Sequence, residues 1–469
     1  MESRAQSPTF LQKVALKYAH NAMNVALARN FIFHFRSEAI TPNPAHKATM
    51  LYIHIPFCHT LCPYCSFHKY IYEKSVAEAY FKALRLEIES VKAQGFDFET
   101  IVVGGGTTLI NEGELLKTLE LCKKLFSVKE ISCESDPNHI EPSKLALFRG
   151  IITRLSCGVQ SFDDDILRKI GRFSKFGGSS ELIDKLSKAN GILPILSIDL
   201  IFNFPTQSEL QLRNDLKVAK NIAPQQITTY PLMKSPLTRE NIANALGVSA
   251  VDNEYAFYRI ICEEFKGYER NNAWSFSAKM AQKGESSGKS SESNLKSLKS
   301  TADSANLHAT KSVLNDEYVS YHNQYLGVGS GAFSFMEGRL FVNAFNLKDY
   351  VSRVPSGGGA NIASASFNRR DILRYMFLTQ LFSGAVDIAR FNGAHNCSVG
   401  KDLFVELNGL RLAKAITQEN GTIKCTDFGR YVALTAMKDF YAGMDMVRAV
   451  FRDDAKCNGR EVVRVMSEA

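Results

Sequence analysis

Between residues 50 and 232 short apolar runs alternate with amphipathic stretches. The runs are LYIHI (51–55), TIVVGG (100–105), EISCE (130–134), TRLSCGVQ (153–160), ILSIDLIF (195–202) and QITTYPL (226–232). Apolar residues recur at helical spacing in 73–93, 112–125, 179–190 and 207–221. Strands alternating with helices argue for βαβ units and an α/β fold with a parallel sheet. Closed or nearly closed, such a sheet is a (β/α) barrel, whose functional residues gather at the strand C-terminal ends. The cysteines of 58–65, the glycines 104–106, Glu134, Gln160 and Asp199 all fall at or near such ends.

The flanks read differently. Residues 10–37 have helical periodicity, and Thr41-Pro-Asn-Pro44 breaks it. Residues 277–312 are rich in Ser and Lys and nearly free of large apolar side chains. Such a segment buries too little surface to offset its ordering entropy, so it reads as a disordered, passive insertion. Order is expected to return at 315, with a glycine-rich strand at QYLGVGSGAFSF (324–335). A last helical region starts near Arg369, and 410–426 reads as a hairpin turning at Asn420-Gly421. Helix, hairpin and helix make a winged-helix-like pattern, here read as a lid or docking element. The expected division is a helical extension (1–49), a barrel (50–276), the insertion (277–312), a continuation of the barrel domain (313–365) and a C-terminal α+β domain (366–469).

A chain of 469 residues, 45% apolar, has material for two or three packed domains. The net charge of +8 is too weak to argue for nucleic acid. Three of the ten cysteines crowd into 58–65, which speaks against a disulfide scaffold. The other seven read as buried small hydrophobes in a reducing cytosol. The N-terminus shows no signal-peptide pattern, and the apolar stretch 192–204 carries Asp199 and Asn203, so it reads as a strand rather than a membrane span. A cytoplasmic monomer is expected.

Cys58-His-Thr-Leu-Cys62-Pro-Tyr-Cys65 carries the strongest chemistry. Thiolates are soft ligands that suit zinc or iron–sulfur. A structural zinc site normally takes four protein ligands, and His59 or His68 could supply the fourth. In a [4Fe-4S] cluster the fourth iron would instead be open to a small molecule.

The Cys-x3-Cys-x2-Cys spacing after the first strand of an apparent barrel resembles the radical S-adenosylmethionine (SAM) superfamily. Tyr52-Ile-His-Ile-Pro-Phe-Cys58 narrows the resemblance to the family of oxygen-independent coproporphyrinogen III oxidase (dehydrogenase) and haem chaperone W. Further landmarks follow in order: Gly104-Gly-Gly-Thr107, Glu134-Ser-Asp-Pro137, Gly158-Val-Gln160-Ser-Phe162, Gly171-Arg172, Asp199 to Pro205, Tyr230-Pro231 and Leu326 to Ala332. The resemblance covers roughly 50–450 apart from the insertion. It implies a partial (β/α)6 radical SAM barrel, a [4Fe-4S] cluster on Cys58, Cys62 and Cys65, and SAM as cofactor. It also implies SAM contacts from Tyr52, Tyr64, Gly105, Gly106, Thr107, Glu134, Gln160, Arg172, Asp199, Pro231 and Phe333. The implied substrate or ligand is a porphyrinogen or haem, with a flavodoxin or ferredoxin as electron donor.

Three activities follow from the resemblance. One is oxidative decarboxylation of a propionate to vinyl through a 5′-deoxyadenosyl radical, in porphyrin and haem biosynthesis. The second is haem binding and transfer without turnover. The third is haem ring opening by radical methyl transfer. The chain departs from both named branches. Phe67 stands where the oxidases usually carry a fourth cysteine, and Leu314 where the chaperones carry a haem-ligand histidine, with His322 the nearest substitute. About fifty residues precede the first barrel strand, as in the oxidases, and a full C-terminal domain includes Thr426-Asp-Phe-Gly429-Arg430.

Deleting 279–309 is expected to leave cluster assembly and SAM cleavage largely intact, because the segment has little with which to pack. Iron content and 5′-deoxyadenosine release of the shortened chain check this; loss of SAM binding in a normally folded deletion variant would refute it.

Overall fold

The computed structural model describes residues 7–43, 48–248, 251–278, 324–457 and 459–468. The six apolar runs are six strands: Met50–Ile55, Thr100–Gly105, Glu130–Ser135, Arg154–Gln160, Ile195–Phe202 and Gln226–Pro231. They lie side by side in chain order, each parallel to the next. Strands covered on both faces need apolar residues at nearly every position, which is why they read as runs rather than alternations; Met50–Ile55 is buried throughout. Crossover helices include Lys74–Ala93, Glu112–Leu125, Ser179–Ala189 and Glu209–Ile222. The fold is α/β, as the alternation predicts, and the barrel is open.

A seventh parallel strand, Tyr325–Val328, pairs with the first one on its free side. Antiparallel strands Phe333–Met336, Arg339–Asn343 and Asn361–Ser366 continue the sheet from there. At the other end Ser275–Ser277 pairs antiparallel with the sixth strand. Ser277, assigned above to the insertion, therefore belongs to the sheet, as its partner Gln226 holds it there. The rest of that segment, and 313–323 with Leu314 and His322, lie outside the described residues.

The N-terminal segment corrects the helical reading of 10–37. The helix Phe10–Asn30 opens on a Thr9/Gln12 capping box and ends at Asn30; Ile32–His34 is a strand. It pairs antiparallel with Asn361–Ser366 and with the C-terminal strand Val462–Arg464. Phe31 and Phe33 are fully buried, and the Phe33 ring meets Phe451 at 5.2 Å. The β-branched and aromatic run Phe31-Ile-Phe33 thus wins over the helical period before it.

Behind the sheet the C-terminal region contains the helix Arg369–Phe382, the hairpin Ile416–Glu419/Thr422–Cys425 and the long helix Asp427–Phe451. Asn420 and Gly421 turn the hairpin with φ of 49° and 76°, the doubly left-handed geometry of a two-residue turn. The strand Ala385–Asp387 adds a third member to this small sheet. The first helix lies along Asp427–Phe451, so closely that a Cβ on Gly443 would sit 2.6 Å from Leu27 Cδ1. All ten cysteines are free. Cys122, Cys133, Cys157 and Cys262 are buried, but Cys397, Cys425 and Cys457 are only half-buried. Their thiols lie within weak hydrogen-bond reach of Asn392 Oδ1, Leu381 O and Val450 O. Among the described residues no helix is long and apolar enough to cross a membrane.

Two buried carboxyls pin the loops of the barrel rim. Glu87 accepts from Tyr350 Oη at 2.6 Å, Gly329 N at 2.8 Å and Asn343 Nδ2 at 3.0 Å. Asp215 accepts from Phe162 N at 2.7 Å and Ser161 Oγ at 2.8 Å. Burial pushes both groups up to about 7 despite these donors. An acid held above its unfolded value stabilises the fold fully below the unfolded value, and that stability is lost as pH rises through the folded one. For Glu87 the window runs from about 4.5 to about 7. Burial depresses His54 to about 4, which acts in the opposite sense below its ordinary value of 6.5. Urea unfolding at pH 6.5 and 8 should therefore show the wild type losing stability with pH, on the order of 1 kcal/mol per affected group. Glu87→Gln should flatten part of that slope; an unchanged slope would refute the assignment.

Candidate functional site

The cysteine loop leaves the first barrel strand with every carbonyl from 55 to 58 engaged. Gly106 N donates to Ile55 O at 2.8 Å and Thr107 N to Phe57 O at 2.7 Å. On the other side Tyr70 N donates to Pro56 O at 2.6 Å and Tyr72 N to Cys58 O at 2.9 Å. The strand thus continues as a short parallel pair, Phe57–Cys58 with Tyr70–Ile71, and closes the loop at its base. Cys58 is buried at that base, whereas Cys62 and Cys65 stand half-exposed on the arc. Thr107 Oγ1 lies 3.8 Å from Cys58 Sγ, and Arg172 Nη1 lies 3.9 Å from Cys62 Sγ.

The glycines are required by this approach. A Cβ on Gly106 would stand 2.4 Å from Phe57 O and 3.0 Å from Cys58 Sγ. Gly105 has φ of 119° and donates to Glu134 Oε2 at 3.2 Å. Arg172 is buried beneath the loop. It donates to Tyr64 Oη at 3.1 Å and to Gly158 O, and lies 4.3 Å from the Phe176 ring. Burial, partly offset by Arg172, pushes the Tyr64 phenol far up, so Tyr64 stays protonated. Burial next to Glu134 does the same for Tyr52.

The remaining expected positions spread along the strand ends. Gln160 has φ of 77° at an irregularity in the pairing of the fourth and fifth strands, the kind of bulge that re-aims a side chain. Asp199 lies on the fifth strand in register with Gly158. Its carboxylate accepts from Ser156 Oγ at 2.7 Å and Ser197 Oγ at 3.2 Å, which supplies the partner a carboxylate in an apolar strand needs. Pro231 ends the sixth strand, in register with Phe202. Phe333 is buried in the antiparallel extension, 6.1 Å from Phe345.

Several further rim residues, Asp136 of the Glu134-to-Pro137 landmark among them, are given no role by the sequence. Asp136 Oδ2 accepts from Thr107 Oγ1 at 2.9 Å, and Oδ1 from His139 Nδ1 at 2.8 Å. Burial would raise this carboxyl, but His139, Lys175 and Thr107 hold it at about 2. His139 in turn stacks on His59 at 5.7 Å. The buried Arg154 reaches Gln226, Ser132 and Ser156, and so braces the hydroxyl that holds Asp199. From the C-terminal helix, Arg448 lies over the rings of Phe67 and Phe333, and Arg452 donates to Ser66 O at 2.9 Å. In the sequence Asp136 shows only as part of that landmark; the contacts of all these residues depend on tertiary placement.

The donor set fits a cluster better than a single ion. Among the described residues no three His, Cys, Asp or Glu side chains converge as they would around one metal ion. Three thiolates of a [4Fe-4S] cube each hold a different iron and stand apart. His68 points away to Ser330 Oγ at 3.2 Å and packs on Phe345 at 4.4 Å, and His59 packs between Tyr72 and His139. Among the described residues the buried Arg172 Nε, beside Cys62, has no hydrogen-bond partner. An apolar recess of about 420 Å³ elsewhere, between the first helix and the C-terminal helices, shares none of these residues.

Sequence and fold are similar to those of known proteins. The model of the radical SAM superfamily matches residues 52–219. Heme chaperone HemW of Bacillus subtilis (strain 168) is 28% identical over 324 residues, covering 66% of this chain and 76% of that one. Heme chaperone HemW of Escherichia coli (strain K12) is 32% identical over 197 residues, covering 40% of this chain and 51% of that one. The oxygen-independent coproporphyrinogen III oxidase of Paracoccus denitrificans (strain Pd 1222) is 29% identical over 196 residues, covering 40% of this chain and 43% of that one. For the latter two the chain spans about half the relative's length or less. In fold, the solved coproporphyrinogen III oxidase HemN of Escherichia coli superposes with a TM-score of 0.64 at 21% identity, over 84% of this chain and 90% of that one. Members of the superfamily use a [4Fe-4S] cluster and SAM. Residues 52–219 of this chain are thus a radical SAM domain.

Proposed function

We propose that this protein is a radical SAM oxidoreductase that acts on a carboxylate-bearing porphyrinogen, in the manner of oxygen-independent coproporphyrinogen III oxidase. The observation that carries the reading is the cysteine arc held at the rim by Gly106, Thr107 and Arg172, on a fold that extends over nearly the whole length of the oxidase. Cys58, Cys62 and Cys65 would hold three irons. When bound, the reduced cluster supplies the electron that cleaves SAM to methionine and a 5′-deoxyadenosyl radical. Tyr52, Tyr64, Gly105, Gly106, Thr107, Glu134, Gln160, Arg172 and Asp199 would line the SAM pocket, with Pro231 and Phe333 at its margin. Glu134 suits an ammonium group and Arg172 a carboxylate. Tyr52 and Tyr64, both kept neutral, would exclude water. The porphyrinogen propionate would lose hydrogen to the radical and then CO2, with one electron passed to an acceptor. A flavodoxin or ferredoxin would serve as reductant.

The second reading is a heme chaperone, favoured by the names of the relatives matched over the longest stretches. Against it stands Leu314, since leucine cannot ligate iron.

Anaerobic reconstitution should give a brown protein with iron and sulfide near about four each per chain, the content of one [4Fe-4S] cluster. Cys62→Ser should abolish SAM cleavage, and Gly106→Val should lose cluster by displacing the Phe57 backbone and the Cys58 sulfur. Incubated with coproporphyrinogen III, SAM and reductant, the wild type should release CO2 and a vinyl product. Haem retained without product would favour the chaperone reading, and a ring-opened tetrapyrrole would favour haem utilisation. Stoichiometric zinc without iron uptake would overturn the cluster itself.

A further inference from the structure

Two arginines of the C-terminal helix and its cap hang over the cysteine arc, and nothing in the SAM chemistry calls for them. The Arg448 guanidinium lies 5.5 Å from the Phe67 ring and 5.7 Å from the Phe333 ring. Asp445, one turn earlier and buried, takes its Nη1 at 2.6 Å. Arg452 caps the same helix and donates to Ser66 O at 2.9 Å across the gap. An arginine at a helix C-terminus can bond its own last carbonyls. This one reaches instead to the loop that carries Cys65. The two cations bear on each other: burial and Arg448 both lower Arg452. Asp445 pairs with Arg448, whereas Arg452 feels the Cys65 thiol and Asp445 only through space. Phe67 beside them is 42% exposed, so its ring is open to a ligand at the barrel mouth.

We propose that Arg448 and Arg452 form the site that receives a carboxylate of the substrate at the barrel mouth, with Phe67 as the apolar face against which the body of the substrate rests. Guanidinium groups bind carboxylates in a bidentate fork, and an incoming anion relieves the repulsion between the two. Asp445 is a positioning residue that sets the Arg448 fork. The substitution of Phe for a thiol at 67 then has a use: the ring backs the Arg448 guanidinium by cation–π contact. The inference rests on the proposed function for the identity of the substrate body. The carboxylate chemistry itself has two sources, the substrate and the methionine portion of SAM.

The test uses the cluster-loaded full chain, with coproporphyrin III and its neutral tetra-amide as probes, followed by porphyrin fluorescence under anaerobic conditions. Arg448→Ala and Arg452→Ala should each weaken coproporphyrin III binding by about tenfold or more, and Arg448→Lys should recover only part because an ammonium is no fork. Tetra-amide binding should be weak in the wild type and insensitive to the substitutions. Iron content reports folding, and Arg452→Ala, which leaves the Arg448–Asp445 pair intact, keeps the test valid if Arg448→Ala is unstable. Equal loss for acid and amide would mean packing and would overturn the carboxylate assignment. So would a loss that falls on SAM affinity instead. A wild type that cleaves SAM but binds neither porphyrin would defeat the proposed function, and this inference with it.

Discussion

The site depends on one backbone constraint: the four carbonyls from Ile55 to Cys58 are taken by donors from two different segments. Buried carbonyls must find partners, and here the partners are Gly106, Thr107, Tyr70 and Tyr72. The consequence is that the start of the cysteine arc cannot shift without unsealing the second strand's turn. The same turn passes Thr107 to Asp136 and Gly105 to Glu134, so the third strand is tied in as well. A ligand loop fixed in this way presents its thiols on a rigid base, which is what a low-lying electron donor beside a reactive cofactor requires.

On the opposite side of the first strand a second set of ties works through buried polar chains. Tyr52 Oη meets His54 Nδ1 at 2.9 Å, His54 Nε2 meets His68 O at 2.9 Å, and His68 Nε2 meets Ser330 Oγ. Gly331, with φ of 71°, lies so close to the His68 ring that a Cβ would stand 2.3 Å from it. Glu87 closes the circuit on Gly329. The glycine-rich segment after the seventh strand is therefore a packing surface for the far end of the cysteine loop. Burial depresses His54 and His68, so neither carries charge at neutral pH, and the chain of hydrogen bonds stays uncharged.

Much of this was legible along the chain, for physical reasons. The six strands were visible because a doubly covered strand has no polar face to interrupt its run, and their ends fall within a residue of the expected limits. The cysteine spacing was visible because ligand geometry is local. Asn420-Gly421 was visible because two left-handed residues in a row leave few choices. The strand Ile32–His34 was missed because its pairing partners lie more than three hundred residues away and its helical neighbour dominates the period. Asp215, Arg154 and Glu87 were missed for a related reason. Each sits on an ordinary helix or strand position, and becomes a brace only when the fold brings a loop or a neighbouring strand across it. The half-buried Cys397, Cys425 and Cys457 show the limit of composition: a cysteine reads as core from its type, but its depth is set by the element that carries it.

The missed N-terminal strand also explains how a helix from the end of the chain comes to face the cysteine loop. Ile32–His34 joins the sheet between Asn361–Ser366 and Val462–Arg464, so both flanks of the chain are sewn to one edge. The helix Phe10–Asn30 then packs along Asp427–Phe451, held by His20 to Asp439 and by the close passage of Leu27 over Gly443. Phe33 and Phe345 grip Phe451 at 5.2 and 6.0 Å, directly before Arg452. The last turn of the helix is therefore located by aromatic packing rather than by its arginines. Arg452 adds little to this, because its bond to Ser66 O is exposed. Since Phe451 already fixes the helix end, Arg452 is spared that duty, and the cost of gathering two guanidinium groups beside Ser66 and Phe67 is borne by the packing beneath them and by the buried Asp445.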